Sequence, residues 1–348
     1  MSRPVKPLPL EDLEHVLQHT RELWQEARGA AFFITGGTGF FGMWLLESFA
    51  FINDALGLGM KACVLTRSPA AFAAKAPHLA ARGDLTFLKG DVRQFPFPEG
   101  TYRYVIHAGT TSSAPVEPLE MFDTIIEGTR RVLEFAAQAS CRKLLFVSSG
   151  AVYGRQPPEI THVPEDYRGA PDPLDLSSAY GEGKRAAELL CSIAGKKHDF
   201  EIKIARCFAF VGPHLPLDAH FAIGNFIRDA LADGPIKVGG DGTPLRSYLY
   251  AADLVVWLWT LLFAGGAGKA CNVGSDQAVS IAELAHAVAS LRVPALPVEI
   301  GATPQPGRVP VPYVPDITLA ANVGLGAVLP LAEALRRTFA WHLVTPAI

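Results

Sequence analysis

Several features are scarce in this sequence, and each scarcity argues against a class of protein. The 348 residues include five cysteines but no C-x-x-C pair, which predicts buried, reduced thiols and no metal site. The longest apolar run, Leu254–Ala264, is far shorter than the ~20 residues of a membrane helix, so we expect a core helix that Asp253 caps. The chain begins without a charged-then-apolar signal pattern, and this predicts a cytoplasmic protein.

Charge of one sign is also scarce. The net charge is -3, and lysine and arginine are scattered along the chain, so the sequence has no basic footprint for nucleic acid. Hydrophobic residues, in contrast, make up 49% of the chain, which is ample for a buried core. These numbers, with the length of 348 residues, predict one large or two modest domains.

The most informative stretch is a glycine-rich turn that follows the apolar run Ala30–Ile34. Its glycines are spaced G-x-x-G-x-x-G, at Gly36, Gly39 and Gly42, and a helical pattern follows. A buried strand that turns tightly into a helix N-terminus offers free N–H groups to a phosphate, so this stretch predicts a bound dinucleotide. Gly36 would make the turn, Gly39 would admit the pyrophosphate, and Gly42 would let helix and strand pack closely. An ordinary glycine-rich turn is the alternative.

Strand and helix patterns alternate through the first half of the chain. The predicted strands after the glycine turn are Lys61–Arg67, Leu85–Leu88, Tyr104–Ala108 and Lys143–Ser149, and a long helix is predicted over Leu119–Ala139. Parallel strands need crossover connections, so this alternation predicts an α/β fold with a Rossmann-type doubly wound parallel sheet. Before it, residues 10–28 have the spacing of an amphipathic helix, for which packing or an oligomer contact is expected.

Two predicted strand ends bear on the cofactor. The second strand ends in Thr66-Arg67-Ser68 without a carboxylate, and an arginine there suits a 2′-phosphate, which leans toward NADP over NAD. Arg67 could equally stack on adenine or face solvent. Asp91, after the third strand, could accept a hydrogen bond from the adenine amino group or simply form a turn.

A chemical centre is predicted where the fifth strand ends at Ser149. Tyr180 and Lys184 are four residues apart, so a helix would place both on one face. A nearby ammonium and an oxidised nicotinamide both favour the phenolate, so the pKa of Tyr180 is expected to be lowered. Tyr180 could then act as a general base on a sugar hydroxyl, with Ser149 sharing the hydrogen bond. A chance Y-x-x-x-K on a solvated helix is the alternative.

With these residues the chain resembles the extended short-chain dehydrogenase/reductase family, in particular its NAD-dependent epimerase/dehydratase group, which acts on nucleotide sugars. The resemblance covers the chain from Ala30 to about Trp341. The matching segments are residues 36–42, Gly90-Asp91-Val92, Gly128-Thr129, residues 148–154, Tyr180-Gly181-Glu182-Gly183-Lys184, Arg206 with Gly212-Pro213, Gly239-Gly240-Asp241-Gly242, Arg246 and Asp253.

The resemblance implies a division of the chain and a role for each part. Residues 1–29 would be an N-terminal extension with one helix, residues 30–212 the NAD(P)-binding Rossmann domain, and residues 213–348 mainly a substrate-binding domain. In relatives a Gly-Asp-Gly hairpin leads to an arginine on the nucleotide diphosphate. That arginine maps to Arg246, and a second one maps to Arg308. Asn225 resembles a further donor to the diphosphate, with a helix N-cap as its alternative.

The residues and the resemblance together predict three sets of site residues. The catalytic set is Ser149, Tyr180 and Lys184; the cofactor-binding set is Gly36, Thr38, Gly39, Phe40, Phe41, Gly42, Arg67, Asp91, Val92, Ala108, Tyr180 and Lys184; the substrate-binding set is Thr110, Ser149, Asn225, Arg246 and Arg308.

Four departures from the family pattern bear on the reaction. Sugar 4,6-dehydratases of the family carry Asp-Glu after the catalytic Ser or Thr, and decarboxylases place a glutamate there, whereas this chain has Gly150-Ala151. Neither residue can move a proton, which disfavours both reactions. Ala209 and Ile125 stand where relatives usually keep asparagine, and Ser247 replaces a common acidic residue, so the substrate class is less constrained.

The leading hypothesis is a nucleotide-sugar epimerase that acts at C4 through a transient 4-keto sugar, with NAD or NADP as cofactor. An NADPH-dependent 4-keto-sugar reductase is a close alternative. An atypical 4,6-dehydratase, using groups from residues 107–113 or 162–166, is another, and a non-catalytic dinucleotide-binding protein is the last. The resemblance also implies a homodimer formed through helices at Leu119–Ala139 and Ser178–Ile193, with no nucleic acid or membrane partner. The nucleotide base and the sugar are not identified.

Overall fold

The computed structural model describes residues 4–109, 116–219, 221–305, 307 and 309–343. The chain divides into two compact units. Unit 1 is drawn from Met1–Gly154, Ala170–Cys207 and Val255–Cys271, and unit 2 from Arg155–Gly169, Phe208–Leu254 and Asn272–Ile348. Both units are therefore discontinuous in the chain.

The strands follow the chain in this order: β1 Ala31–Thr35, β2 Lys61–Thr66, β3 Leu85–Lys89, β4 Tyr104–His107, β5 Lys143–Ser149, β6 Glu201–Cys207, β7 Phe210–Val211, β8 Ile236–Val238, β9 Leu245–Arg246, β10 Leu249–Tyr250, β11 Lys269–Val273, β12 Val279–Ser280, β13 Val298–Ile300 and β14 Pro312–Tyr313. The helices are α1 Leu10–Thr20, α2 Phe40–Leu56, α3 Pro69–Lys75, α4 Pro77–Ala80, α5 Pro118–Gln138, α6 Ala179–Lys197, α7 Ala222–Leu231, α8 Ala251–Ala264, α9 Ile281–Ala289, α10 Thr318–Ala321 and α11 Leu331–Leu343. Short 3₁₀ segments span Arg21–Ala27, Gly150–Tyr153 and Leu176–Ser178.

A seven-stranded sheet with the order β11-β6-β5-β4-β1-β2-β3 forms the centre of the fold. All pairings from β3 across to β6 are parallel. Helices flank this sheet, and Phe32, Phe33 and Ile34 of β1 are fully buried. A strand covered on both faces reads as a continuous apolar run, which explains the Ala30–Ile34 pattern. The predicted Rossmann-type doubly wound sheet is thus confirmed.

The strand order reverses between β1 and β4, since β2 and β3 lie on one side of β1 and β4, β5 and β6 on the other. In doubly wound sheets, ligands bind outside the carboxyl ends of the strands at such a switch point. The glycine-rich turn follows β1, and His107-Ala108-Gly109 ends β4 and continues past it, so both segments lie at this edge.

The first helical segment is shorter than predicted. Regular α-helix ends at Thr20, whose backbone leaves the helical region (φ -123°, ψ 1°), and a 3₁₀ segment continues to Ala27. Trp24 is fully buried in unit 1, with its ring 4.8 Å from that of Trp259 and 5.1 Å from that of Phe263. Packing against unit 1 is therefore one role of this segment.

The apolar run that ends near Ala264 forms α8, and it is buried along nearly its whole length. The predicted cap is wrong, because the helix begins at Ala251 and Asp253 lies inside its first turn. The Asp253 carboxylate instead accepts hydrogen bonds from the backbone N–H groups of Val328 (3.1 Å) and Leu329 (3.0 Å). Its role in unit 2 is to anchor this distant loop.

Two smaller sheets of unit 2 frame the Gly-Asp-Gly segment. Strand β8 pairs with β13, whereas β9 pairs with β12 and β14, so residues 239–242 join two different sheets and do not form a hairpin. The Asp241 carboxylate accepts hydrogen bonds from the Thr243 N–H (3.0 Å) and hydroxyl (2.8 Å), which fixes this connection.

The cysteines, the apolar helices and the possible metal ligands bear on the predictions made from residue counts and apolar runs. All five cysteines are buried and unbridged, as expected. Within these residues no helix is both long and apolar enough to cross a membrane, and no group of three or more His, Cys, Asp or Glu side chains is arranged to hold a metal ion.

Candidate active site

The glycine-rich turn is packed against the end of β4. Gly36 has φ +74°, a backbone conformation that residues with a Cβ rarely adopt. A Cβ built there would lie 2.3 Å from the Ala108 carbonyl oxygen. A Cβ on Gly42 would lie 2.3 Å from the Gly36 carbonyl oxygen. Both positions therefore require glycine, because backbone occupies the space of a side chain: that of the β4 end at Gly36, and that of the turn itself at Gly42.

Gly39 differs from its two neighbours in the motif. A Cβ there would meet nothing closer than the Gly36 oxygen at 3.6 Å, which is ordinary contact, and its φ of -86° suits any residue. Gly39 is the N-cap of α2, and Phe40 and Phe41 begin that 17-residue helix. A helix N-terminus with an open surface at a glycine fits a pyrophosphate, since its free N–H groups and dipole favour an anion. This chain thus has the cradle that a nicotinamide dinucleotide needs.

Replacing Gly39 by alanine tests whether this open surface faces a ligand. We expect the fold to tolerate the change, because nothing in the protein crowds that Cβ, while the dissociation constant for the dinucleotide rises about tenfold (~1.4 kcal/mol). Calorimetric titration with NADH and NADPH measures it, and Gly83→Ala is the control, because a Cβ at Gly83 has no neighbour within 4 Å. Unchanged affinity in Gly39→Ala would place the pyrophosphate elsewhere.

Behind the turn lies a buried polar network that sequence reasoning missed. His107 Nδ1 lies 2.8 Å from the Thr35 hydroxyl, and Nε2 lies 3.1 Å from the hydroxyl of Thr129 on α5. The Gly109 N–H donates to the same Thr35 hydroxyl at 3.0 Å. Burial, followed by the charge of Lys184, lowers the pKa of His107 to about 3, so this imidazole stays neutral. The network joins the ends of β1 and β4 and supports the turn.

The other predicted cofactor residues lie near the ends of β2 and β3. Arg67 is exposed immediately after β2. Asp91 accepts three hydrogen bonds from Arg93, one from its N–H (2.9 Å), one from Nε (2.9 Å) and one from Nη2 (3.0 Å). The hydrogen bond from the Arg93 side chain is the main reason that the pKa of Asp91 is lowered. Val92 packs on α5, where a Cβ on Gly128 would lie 2.8 Å from Val92 Cγ1.

Thr38 and Ala108 are also positioned by backbone contacts. The Thr38 carbonyl oxygen accepts a hydrogen bond from the Lys75 ammonium at 2.8 Å, and burial lowers the pKa of Lys75. The Ala108 N–H donates to the Thr35 carbonyl oxygen at 3.2 Å. Lys75 is a second residue near the turn that sequence reasoning missed, because nothing in a single sequence signals a contact 37 residues away.

Ser149, Tyr180 and Lys184 come together in unit 1. Ser149 is the last residue of β5, and its hydroxyl lies beside that of half-buried Tyr180 in the first turn of α6. Lys184 is buried one turn further on, with its ammonium 5.9 Å from the centre of the Tyr180 ring. Lys184 Nζ donates to the Val147 carbonyl oxygen at 2.8 Å. The arrangement provides a hydroxyl pair beside a buried cation.

The pKa of Tyr180 corrects one expectation from the sequence. Burial raises this pKa, the neighbouring Ser149 hydroxyl opposes the rise, and nearby Cys207 adds to it, so in the protein alone the phenol is not activated. Burial also lowers the pKa of Lys184 to about 8. The ammonium is directed at a backbone carbonyl and therefore does not offset the cost of burying a phenolate.

The predicted substrate residues are described only in part. Arg246, in β9 of unit 2, donates from Nη1 to the carbonyl oxygens of Leu245 (2.7 Å) and Val311 (3.3 Å). Asn225 lies inside α7, whose N-cap is Phe221, so the N-cap alternative is wrong. Thr110 and Arg308 lie outside the described residues.

The structure shows what surrounds three of the positions that depart from the family pattern. Gly150 and Ala151 form the 3₁₀ turn directly after Ser149, and the Ala151 N–H donates to the Ser149 hydroxyl at 3.1 Å. Ile125 is buried on α5, where its Cδ1 would lie 3.0 Å from a Cβ on Gly183 of α6, so it packs these helices closely together. The Ser247 hydroxyl is buried and has no hydrogen-bond partner among the described residues.

Comparisons with known proteins agree on the family. Residues 32–274 match the model of the NAD dependent epimerase/dehydratase family. UDP-glucuronic acid decarboxylase 5 of Arabidopsis thaliana is 34% identical over 207 residues, 59% of this chain, and the chain spans only 59% of that relative's length. UDP-glucuronic acid decarboxylase 1 of Danio rerio is 29% identical over 315 residues, which cover 88% of this chain and 71% of the relative.

Solved structures show the same fold. The UDP-glucose 4-epimerase of Thermus thermophilus, in complex with NAD, has a TM-score of 0.72 and 23% identity over 90% of this chain and 100% of its own. MoeE5 in complex with UDP-glucuronic acid and NAD has a TM-score of 0.72 and 25% identity over 90% and 99%. The chain therefore belongs to the NAD dependent epimerase/dehydratase family, the nucleotide-sugar branch of the extended short-chain dehydrogenases/reductases.

Proposed function

We propose that the protein is an NAD(P)-dependent nucleotide-sugar epimerase that acts at C4 through a transient 4-keto sugar. The observation that carries this proposal is the placement of Tyr180 beside Ser149 and one helical turn from the buried Lys184, whose ammonium lies 5.9 Å from the Tyr180 ring. The two residues after Ser149, Gly150 and Ala151, cannot move a proton. Epimerisation by oxidation and reduction at one carbon needs a single acid/base group and a retained cofactor. The site offers this set of groups.

The cofactor would be held by the predicted set around β1, β2, β3 and β4. Its pyrophosphate would lie at Gly39 and the first N–H groups of α2, with Ala108 and Thr38 beside it, and Lys184 would bind the nicotinamide ribose. When bound, the nicotinamide supplies the hydride acceptor and then the donor. Its positive charge in the oxidised form also favours the Tyr180 phenolate, which the protein alone disfavours.

The proton steps are assigned to Tyr180 and Ser149. Tyr180 takes the proton of the C4 hydroxyl while the C4–H bond breaks and its hydride leaves, so C4 becomes a ketone. Ser149 shares the hydrogen bond to that oxygen. After the keto sugar turns over, hydride returns to the other face of C4 and Tyr180 returns the proton to the oxygen. Atoms and electrons balance within one cycle, with no net oxidation.

The substrate is proposed to be a uridine diphosphate sugar. The curated relatives are named for UDP-glucuronic acid, and solved relatives hold UDP-glucose or UDP-glucuronic acid. Arg246 would bind the diphosphate, because its guanidinium is anchored at Nη1 by two backbone carbonyls and retains further donors. Arg308, Asn225 and Thr110 remain predicted substrate contacts. Residues 213–348 would supply most of this binding domain.

Decarboxylation of UDP-glucuronic acid is the second candidate, favoured by the names of the curated relatives. Oxidation at C4 makes the C6 carboxylate a β-keto acid, which can lose carbon dioxide. C5 must then be protonated, and the position where family decarboxylases keep a glutamate is occupied by Gly150-Ala151. The same gap weighs against a 4,6-dehydratase, since that reaction needs a separate acid and base.

A 4-keto-sugar reductase is the third candidate, because Arg67 favours NADPH. Arg67 follows β2, and its charge acts on Asp91 after β3. We expect Arg67→Ala to weaken NADPH binding about ten- to a hundredfold and to leave NADH binding nearly unchanged, since one charge-assisted hydrogen bond contributes about 1.5–3 kcal/mol. Titration with both cofactors measures this ratio, with Arg21→Ala, an exposed arginine of the N-terminal segment, as the control. Equal losses for both cofactors would argue for adenine stacking instead.

A homodimer through α5 and α6 is part of the proposal. Large apolar side chains on these helices are exposed in the single chain, namely Leu119 (64%), Leu189 (62%) and Ile193 (53%). A second copy would cover them in a four-helix arrangement. Sedimentation equilibrium of Leu189→Glu against the parent tests this surface, and an unchanged monomeric mass for both would contradict the dimer.

Proton NMR in deuterated water tests the reaction itself. The purified protein is mixed with UDP-, dTDP-, GDP- and CDP-sugars, with UDP-glucuronic acid first and no added cofactor. The C4 epimer without deuterium supports hydride return within one site. A pentose product, or deuterium at C5 or C6, supports the decarboxylase or dehydratase. Turnover only after NADPH and a 4-keto sugar are supplied makes the protein a reductase, and no turnover under any condition contradicts all three.

A further inference from the structure

Three side chains of α6, spaced four residues apart, contact three consecutive residues at the end of β5. Tyr180 lies beside Ser149, Lys184 donates to the Val147 carbonyl oxygen at 2.8 Å, and Glu188 Oε1 accepts from the Ser148 hydroxyl at 2.6 Å. The i, i+4, i+8 spacing puts all three on one face of the helix. We call these three contacts the helix–strand ladder.

Glu188, the last rung, is itself held from the neighbouring strand. Arg206 of β6 donates to Glu188 from Nη2 (2.7 Å, to Oε2) and from Nε (3.1 Å, to Oε1). Arg206 Nη1 also donates to the Tyr153 hydroxyl at 2.9 Å, in the 3₁₀ turn after β5. Arg206 lies directly opposite Ser148 in the parallel pairing of β5 and β6. Strand, turn and helix are thus tied together at one point.

The ion pair is shielded from water, with 12% of the Glu188 side chain and 17% of the Arg206 side chain exposed. A bidentate pair in such surroundings holds its geometry better than a single contact between solvated chains. Glu188 is one helical turn from Lys184, and its partner Ser148 directly precedes Ser149, so the pair is linked to both groups that flank Tyr180.

We propose that Glu188, held by Arg206, is a positioning residue for the reaction, because it sets the place of Ser149 and the charge of Lys184 relative to Tyr180. This inference rests on the proposed role of Tyr180 as acid/base. Glu188 would touch neither substrate nor cofactor in this role. It would act through the strand end and the lysine.

The charge of Glu188 matters as well as its shape. The groups that face Lys184 are the thiols of Cys207 on β6 and Cys191 on α6, the Glu188 carboxylate, and neutral His107 on β4. Burial lowers the pKa of Lys184, while the two thiols and Glu188 raise it. Without the carboxylate, one of the groups that raise the pKa of Lys184 would be gone, and Lys184 would lose its proton at lower pH.

Glu188→Gln is the decisive variant, with the NMR-identified sugar as substrate. We expect kcat to fall on the order of tenfold to a hundredfold with little change in KM, because misplacing a catalytic group by about 1 Å has effects of this size. The alkaline limb of the pH profile should move to lower pH. Glu188→Asp, which keeps the charge, should recover that limb. Asp84→Asn, which breaks a comparably shielded pair with Arg82 remote from β5, should change neither.

A substrate-free measurement keeps this inference separate from the proposed function. The Lys184 amine is titrated by NMR in protein labelled at lysine Cε, with Lys184→Met to assign its signal. Its pKa should be lower in Glu188→Gln than in the parent, and unchanged in Asp84→Asn. An unchanged pKa together with unchanged kcat overturns the inference. Failure of every sugar to react contradicts the proposed function, yet an unmoved Lys184 titration alone would still overturn the charge role of Glu188.

Ser148→Ala covers the case in which Glu188→Gln does not fold. It removes the strand partner of Glu188 and leaves the ion pair with Arg206 in place. We expect a smaller loss of kcat with no shift of the Lys184 titration, because only position is disturbed. Parental kcat in Ser148→Ala would overturn the positioning role of the Glu188–Ser148 contact.

Discussion

Replacing Tyr180 by phenylalanine should reduce kcat about a thousandfold while dinucleotide binding is kept. The reason is that the phenol hydroxyl is the group proposed to take and return the proton, and acid/base catalysis typically contributes about 10²- to 10⁴-fold. The aromatic ring remains, so the half-buried site stays filled and the fold should be preserved. Turnover of the identified sugar and titration with NADH measure the two effects separately.

Tyr102→Phe is the matched control for this change. Tyr102 is also a partly buried tyrosine of unit 1, and burial raises its pKa to about 12. It lies before β4, and no catalytic role is predicted for it. Parental turnover in Tyr102→Phe with loss in Tyr180→Phe supports the proposal. Comparable residual rates in both variants would remove Tyr180 from the reaction.

Replacing Lys184 by methionine should have the second large effect, a loss of kcat on the order of a hundredfold or more. The ammonium would hold the nicotinamide ribose, and the oxidised nicotinamide favours the Tyr180 phenolate, so both cofactor placement and proton transfer suffer when the ammonium is lost. In the parent protein kcat/KM should fall above about pH 8, because the pKa of Lys184 is about 8 and the charge disappears there. The variant should lack this limb.

The same substitution should separate stability from activity. The pKa of Lys184 is lowered from 10.5 to about 8 in the folded protein. Below pH 8, folding therefore has to bury a charged ammonium, which lowers the free energy of unfolding, and this loss disappears as the pH rises toward 10.5. Methionine removes this cost. The difference in the free energy of unfolding, Lys184→Met minus parent, should therefore be larger at pH 7 than at pH 10.5. The gap between the two pH values should be on the order of 3 kcal/mol. Urea unfolding at the two pH values measures the difference.

Lys203→Met is the control for burial of a lysine. Lys203 is likewise buried, on β6, where its ammonium contacts the Glu201 carboxylate and the Gly265 carbonyl oxygen. We expect it to alter stability and to leave turnover near the parental value. If Lys203→Met lost turnover as strongly as Lys184→Met, the loss would reflect general damage to the sheet.

Local patterns in the sequence were sufficient to predict the parallel sheet and the glycine-rich turn. The glycine spacing, the buried apolar strands and the i, i+4 placement of Tyr180 and Lys184 depend on neighbours within a few residues, so one sequence displays them. Helix caps were less predictable. Asp253 looked like an N-cap by its place before an apolar run, yet its partners are the N–H groups of Val328 and Leu329, some 75 residues away.

What the sequence by itself determined is the family, the parallel sheet and the identity of the residues proposed to do chemistry. Only the tertiary structure decided their state. Burial among α6, β5 and β6 raises the pKa of Tyr180 and lowers that of Lys184, and a contact between two separate elements, α6 and β6, pairs Glu188 with Arg206. Such properties arise from desolvation and from groups brought together by folding, and neither is encoded in the spacing of residues along the chain.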